Sequence, residues 1–273
     1  MKIILLFLLI LITYTLSAKK IIVLGVTTTE IISELDAQKE VIACDTWSKD
    51  IEGMTNATDL GEFPKFDFKK LKSLNPDIVI VDAEIAKFGV KEELDKLNLN
   101  VQYLPNIFTK KQIEKNIETI AKLVGKSTQY DKTRDMFRIK YAEYEVMLAM
   151  NSINSKVLFL DTDYNGGVVV AGNNTAPNEI LKLAGNKLKL KQNDWQKITI
   201  EEINKLNPNV IFVSDELVSS LGGSEKAIKF FSTTNAGKKD KIAILESWEM
   251  RNFGYKVSEI LLKVMGTFNE NGF

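Results

Sequence analysis

The chain has 273 residues, 45% of them hydrophobic and 26% charged, enough to bury one large core or two modest ones. Lysine plus arginine equals aspartate plus glutamate at 36 each, which leaves no basic field for nucleic acid, and histidine is absent. Without histidine there is no Ser-His-Asp catalysis, His-ligated zinc or His-ligated haem, and a single cysteine, Cys44, allows no disulfide framework.

Met1 to Ser17 carries one lysine, an apolar run from Ile3 to Ile12, and then small and polar residues. That is the pattern of a secretory signal peptide, with a run too short for a stable membrane span. Cleavage near Ser17 or Ala18 leaves a mature chain with no lipobox cysteine at its start, so an untethered periplasmic protein is expected. An uncleaved membrane anchor is the alternative.

Lys20 to Leu24 reads as a short buried strand, followed by Gly25–Thr29 and a helix from Glu30 to Leu35 with Thr28 or Thr29 as N-cap. Further strands are expected at 41–44, 78–81 and 101–104, with helices at 68–74, 92–97 and 111–124. Strands alternating with helices imply a parallel α/β sheet. Ser127 to Asn151 contains neither proline nor glycine, and Phe137, Tyr141, Tyr144 and Leu148 recur at i, i+4, i+7 and i+11. That spacing predicts one amphipathic helix of about 25 residues, roughly 38 Å long.

Beyond it the grammar repeats. A strand at 156–160 leads into a polar loop at 161–167, a helix at 175–184, a strand at 242–245 and a helix at 257–265. The segment from Leu71 to Val81 and the segment from Ile203 to Val213 each read as helix, Asn-Pro stop and buried strand. The expected fold is α/β: two Rossmann-like lobes with parallel sheets, 19–125 and 152–273, joined by one long α-helix at 126–151. A ligand cleft then lies between the lobes, outside the carboxyl ends of the strands. Its rim would comprise Gly25–Thr29, Asp45–Lys49, Asp59–Phe66, Asp161–Gly167 and Ser247–Tyr255.

With the elements in this order, the chain resembles the helix-linked periplasmic substrate-binding proteins of ABC importers, which carry haem, cobalamin or iron–siderophores. The run from Ile22 to Glu30, the paired Asn-Pro repeats and the central helix carry the resemblance. Val170 to Gly185, Thr234 to Gly237 and Asn252-Phe253-Gly254 are similar to motifs of the haem-binding branch. The resemblance implies capture of haem as a transported ligand and delivery to a permease in the inner membrane. It also implies a monomer that does no chemistry and has no cofactor of its own.

Two departures bear on the ligand set. The haem branch often ligates iron with a first-lobe tyrosine where this chain has Glu62, beside Phe63, and its second-lobe histidine is replaced within Asp163-Tyr164-Asn165. Tyr164 is the remaining candidate, because a phenolate is a hard donor suited to ferric iron; packing of its ring against the lobe is the plainer reading. Trp47 and Trp195, one per lobe, are candidates to cover a flat macrocycle, with ordinary packing within their lobes as the alternative, and Trp248 and Phe253 flank the late loop. Thr28 belongs to the first cleft loop. Arg251 and Lys256, or Lys49 and Lys65, could meet propionates, although solvated cations are common on any surface.

For docking, the resemblance implies one acidic residue per lobe. Glu201, with Glu202 beside it, fits the second lobe; the equivalent first-lobe position is Lys69, so either another carboxylate such as Glu62 or Asp67 substitutes or the partner permease has changed too. Cobalamin or a ferric siderophore on the same fold is the principal alternative. An enzyme on a two-lobed scaffold is another; Asp161 and Asp163 could be paired carboxylates, but two aspartates in a polar loop also read as turn residues.

Overall fold

The computed structural model describes residues 19–87, 89–105, 107–163, 165–270 and 272. The segment read as a signal peptide and the candidate Tyr164 lie outside these residues.

The first lobe runs β1 (Ile21–Leu24), α1 (Val26–Glu34), β2 (Val41–Cys44), β3 (Thr58–Asp59), α2 (Phe68–Ser73), β4 (Ile78–Asp82), α3 (Val90–Asp95), β5 (Val101–Leu104) and α4 (Lys110–Leu123). Its sheet has the order β3-β2-β1-β4-β5 and every pair is parallel. The central strands β1 and β4 are apolar throughout until Asp82, as a sheet covered on both faces requires.

The linking helix is α5 (Tyr130–Asn151), 22 residues and about 33 Å long. It begins three residues later than the spacing predicts. Phe137, Tyr141 and Tyr144 are buried on its inner face, and Leu148 packs there half-buried. Ring centroids stand 5.8 Å apart for Phe137 and Tyr141 and 5.5 Å for Tyr141 and Tyr144, and the Tyr144 hydroxyl donates to the Leu183 carbonyl at 2.7 Å. One apolar cluster runs from β1 through this stripe to Phe159 in the second lobe. The helix is therefore cemented to both lobes rather than strung between them.

The second lobe runs β6 (Val157–Thr162), β7 (Val168–Ala171), α6 (Ala176–Leu183), β8 (Trp195–Lys197), α7 (Ile200–Leu206), β9 (Val210–Ser214), α8 (Asp215–Ser220), α9 (Ser224–Phe231), β10 (Ile242–Leu245), α10 (Ser247–Met250) and α11 (Val257–Glu270). Its sheet has the order β10-β9-β6-β7-β8. Only half of it is parallel: β7 pairs antiparallel with both β6 and β8, which corrects the expectation of two parallel sheets. The stretch between β6 and β7 is too short for a helical crossover, so the chain turns straight back as a hairpin.

The two Asn-Pro repeats occupy equivalent places in separate sheets. Asn75 and Asn207 both take left-handed backbone, φ 47° and 49°, at the ends of α2 and α7 before the chain enters β4 and β9. Asparagine tolerates that conformation at low cost, and the proline after it forbids the helix from continuing.

Candidate ligand site between the lobes

At the carboxyl end of β1, Gly25 caps α1 with φ 119°. Thr28 and Thr29 are not the N-cap; both lie inside the first helical turn, and their hydroxyls are committed elsewhere. Thr27 and Thr28 donate to the two oxygens of Asp82, while Thr29 donates to the Gly25 carbonyl at 2.9 Å and to Ser48 at 2.9 Å. Asp45, at the end of β2, accepts from the Gly25 amide at 2.7 Å and from the Ser48 amide and hydroxyl at 3.0 and 2.7 Å. Burial raises both carboxyls above their ordinary range, Asp82 to about 6 against the Thr27 and Thr28 hydroxyls, and Asp45 against the Gly25 amide and Ser48. Burial likewise pushes the Cys44 thiol up to about 12, which disfavours its thiolate.

The second lobe answers with Asp161, fully buried at the end of β6. Ser214 donates to it from β9, Ser247 donates at 3.3 Å, and Arg251 contributes Nε at 3.0 Å and Nη2 at 2.7 Å. Arg251 also reaches Glu216 at 3.1 Å and stands 5.8 Å from the Trp195 ring. Trp195 in turn meets Phe159 edge-on at 6.4 Å. Trp195 and Arg251, two of the candidates named above, are thus brought together across 56 residues of sequence.

The lobes touch through the chain segment after α10. Asn252 donates to Glu30 on α1 at 2.9 Å, and the Lys256 amide donates to the other Glu30 oxygen at 3.3 Å. Phe253 is buried edge-on against Phe108 at 5.4 Å. Gly254 is pressed against Thr27, where a Cβ would come within 2.9 Å of the threonine methyl. A narrow crevice beside this contact is lined by Thr27, Asp82, Pro105, Asn116 and Phe253.

The other candidates fall in distinct places. Trp47 opens a short 3-10 turn, Trp47–Asp50, and is half-buried. Glu62 is exposed and Phe63 half-buried on the loop after β3, Phe63 6.4 Å from Phe66. Thr28 and Phe253 are both buried, one in the Asp82 network and the other in the joint. Lys49 donates to the carbonyls of Met54, Thr55 and Ala57 and so organises its own loop. Lys65 is exposed, and the Lys256 side chain borders a groove beside Glu30. Trp248 is exposed on that same groove. Asp163 accepts the Asn165 and Gly167 amides at 2.9 and 2.8 Å and pairs with Lys197 at 3.1 Å, which holds its carboxyl below the ordinary range. It is a turn brace, not half of a catalytic pair. Glu202 closes a capping box with Thr199, while Glu201 stands exposed beside it at the position Lys69 holds on α2.

Asp82 is not read from the sequence, and Glu30, Asp45 and Asn252 enter there only as members of motifs or rim loops, without the partners found here. A signal was present: Cys44-Asp45, Val81-Asp82 and Leu160-Asp161 each end an apolar strand on a carboxylate, at the level where α/β sheets hold their ligands.

The sequence model for periplasmic binding proteins matches residues 21–247. The chain belongs to the periplasmic binding protein family, whose members bind a solute rather than transform one. The Fe(3+)-citrate-binding protein YfmC of Bacillus subtilis (strain 168) is 23% identical over 262 residues, covering 90% of this chain and 79% of its own. An uncharacterized ABC transporter substrate-binding lipoprotein, YvrC, of the same bacterium is 24% identical over 204 residues, 72% of this chain and 64% of its own. Among solved structures, the periplasmic heme-binding protein BhuT in complex with two hemes superposes with a TM-score of 0.83 at 18% identity, covering 92% of this chain and 98% of that one. The apo form of the periplasmic heme-binding protein RhuT from Roseiflexus sp. RS-1 gives 0.80 at 20% identity, covering 94% and 100%. At such identities the likeness is one of fold.

Proposed function

We propose that this protein is the solute-binding component of an ABC importer that captures haem outside the cytoplasm and hands it to the permease. The observation that carries the reading is the pairing of Trp195 with Arg251 at the carboxyl end of β6. An indole ring with a guanidinium held over it, 5.8 Å away, places apolar surface beside positive charge, the two features that a flat macrocycle bearing carboxylates would meet. Trp47 and Phe63 on the opposite lobe supply apolar surface, Tyr164 is the proposed iron ligand, and Glu62 lies beside Phe63 on the rim. The haem-binding neighbours of the same fold support this cargo.

In this reading the segment from Met1 to about Ala18 directs export to the periplasm and is removed. The mature chain then works as a monomer, and Glu201 meets a basic residue of the permease. A second reading, a ferric carboxylate chelate, is favoured by the likeness to YfmC. Titrating the mature protein with haemin tests the first: a saturable 1:1 visible spectrum, altered in Tyr164→Phe, is expected. A featureless haemin titration together with saturable binding of ferric citrate would replace it with the second.

A further inference from the structure

We propose that Glu30 and Asn252 form a proton-operated joint between the lobes, drawn tight when the carboxyl is protonated and loosened when it is ionised. The two residues lie 222 positions apart, one on α1 and the other on the segment that leads from the second lobe into α11. Both are buried, Glu30 at 1% exposure and Asn252 at 3%. The inference concerns motion of the lobes and holds whichever cargo they carry.

The hydrogen-bonding inventory of this pair is incomplete in one respect. Asn252 donates its Nδ2 to Glu30, yet its Oδ1 is buried with no hydrogen-bond partner among the described residues. A buried acceptor without a donor costs free energy. A neutral Glu30 carries an O–H within the same contact and can supply that donor, closing a reciprocal acid–amide pair. An ionised Glu30 can only accept, so the asparagine oxygen stays orphaned and a buried charge remains to be hydrated.

The surroundings do not hold the charge in place. Lys256, on the same segment, is the nearest compensating cation, but Lys140 on α5 is engaged with Glu259 of α11 at 2.8 Å, and Lys263 of α11 with Glu249 of α10 at 2.5 Å. Glu259 on α11 adds negative potential at Glu30, while Glu34, one turn further along α1, acts on Lys140. Burial is accordingly the largest influence on Glu30 and lifts its carboxyl to about 7, Lys256 and Asn252 opposing. A groove of about 230 Å³ lined by Glu30, Trp248, Lys256 and Ile260 gives water a path to the carboxyl.

The sign follows from linkage. A carboxyl that titrates near neutrality in the closed joint, and near its ordinary value once hydrated, binds its proton more tightly in the closed state. Proton uptake therefore favours closure, and loss of the proton favours parting of the joint.

Nitroxide labels at Lys69→Cys on α2 and Glu201→Cys on α7, both exposed positions, report lobe separation in the full mature chain, with buried Cys44 left in place. The inter-label distance distribution is expected to lengthen between pH 6 and pH 8.5. In Glu30→Gln, whose amide can donate to Asn252 Oδ1 at any pH although its nitrogen no longer accepts from the Lys256 amide, the distribution should be the same at both pH values. Carboxyl ¹³C shifts of glutamate-labelled wild-type protein give the Glu30 midpoint without any substitution. Identical distributions at both pH values, a shift retained in full by Glu30→Gln, or a Glu30 midpoint near 4.5 would each overturn the proposal.

Discussion

Gly25 and Asp82 face each other one step beyond the paired residues Leu24 and Val81, so close that a Cβ on Gly25 would fall 2.7 Å from the Asp82 Cβ and nearer still to its carboxylate. In the second lobe the equivalent step beyond Leu160 and Val213 holds Asp161 and Ser214. The buried carboxylate has changed strands between the two halves, from β4 to β6. Like backbones thus present unlike chemistry: threonine-bound Asp82 on one side, arginine-bound Asp161 on the other.

Gly25→Ala combines a backbone conformation hostile to L-residues with a clash against Asp82 and Thr27's turn. A loss of at least about 2 kcal/mol is expected, read from the urea midpoint at unchanged slope. Stability within about 0.5 kcal/mol of the parent would show that the β1 terminus is free to shift.

Stability should fall as pH rises from about 4 to about 7. Glu30 and Asp82 titrate near 7 and 6 in the folded chain, against ordinary values of 4.5 and 3.8. Across that window the unfolded chain has released these protons while the native one still holds them, so the unfolded state is favoured by rising pH. Each group removes on the order of 3 kcal/mol at most by the upper end of its window. Denaturant unfolding at pH 5 and pH 8 measures the decline, and Glu30→Gln should flatten the part that lies above pH 6.

Arg251→Met strands Asp161 in a site with no exposure of its own, leaving the Ser214 and Ser247 hydroxyls and the Thr162 amide as its donors among the described residues. Breaking such a pair from one side costs about 3–5 kcal/mol, and the partial exposure of Arg251 puts the expected loss at the lower end. Adding Asp161→Asn should recover part of it. A double-mutant cycle with no coupling would mean that Arg251 and Asp161 are neighbours without energetic consequence.

Trp195→Ala should weaken haemin binding about tenfold or more, because it removes the aromatic face beside Arg251. Trp248→Ala, on the groove rather than the cleft, should leave the titration unchanged. The reverse order of effects would move the cargo site to the groove beside Glu30.

Phe137→Ala hollows the α5 stripe between Tyr141, on the same helix, and Tyr255, each 5.8 Å away. A loss of about 3–5 kcal/mol is expected in a single transition seen by probes in both lobes. Two separated transitions would show that the lobes fold independently of the strut.

Much of the architecture was legible because it is written in short periods. The 3.6-residue spacing of Phe137, Tyr141 and Tyr144 and the apolar runs of β1, β4, β6 and β9 need only a neighbourhood to be read. The Asn-Pro repeats told of duplication because left-handed asparagine before proline ends a helix wherever it occurs. Signals weakened where a strand was short or half-exposed. Trp195-Gln196-Lys197 has no apolar alternation that would mark β8, and the antiparallel turn of β7 follows from loop length and not from its own residues.

Two α/β halves and a helical strut are written in the chain's own residues, because local propensity and burial pattern decide secondary structure and layering; the family rests instead on the resemblance of its motifs. Only the tertiary structure decided which polar groups meet. Asp161 finds Arg251 across 90 residues and Glu30 finds Asn252 across 222, and such partners are chosen by how strands end against one another, at a sequence separation no periodicity records.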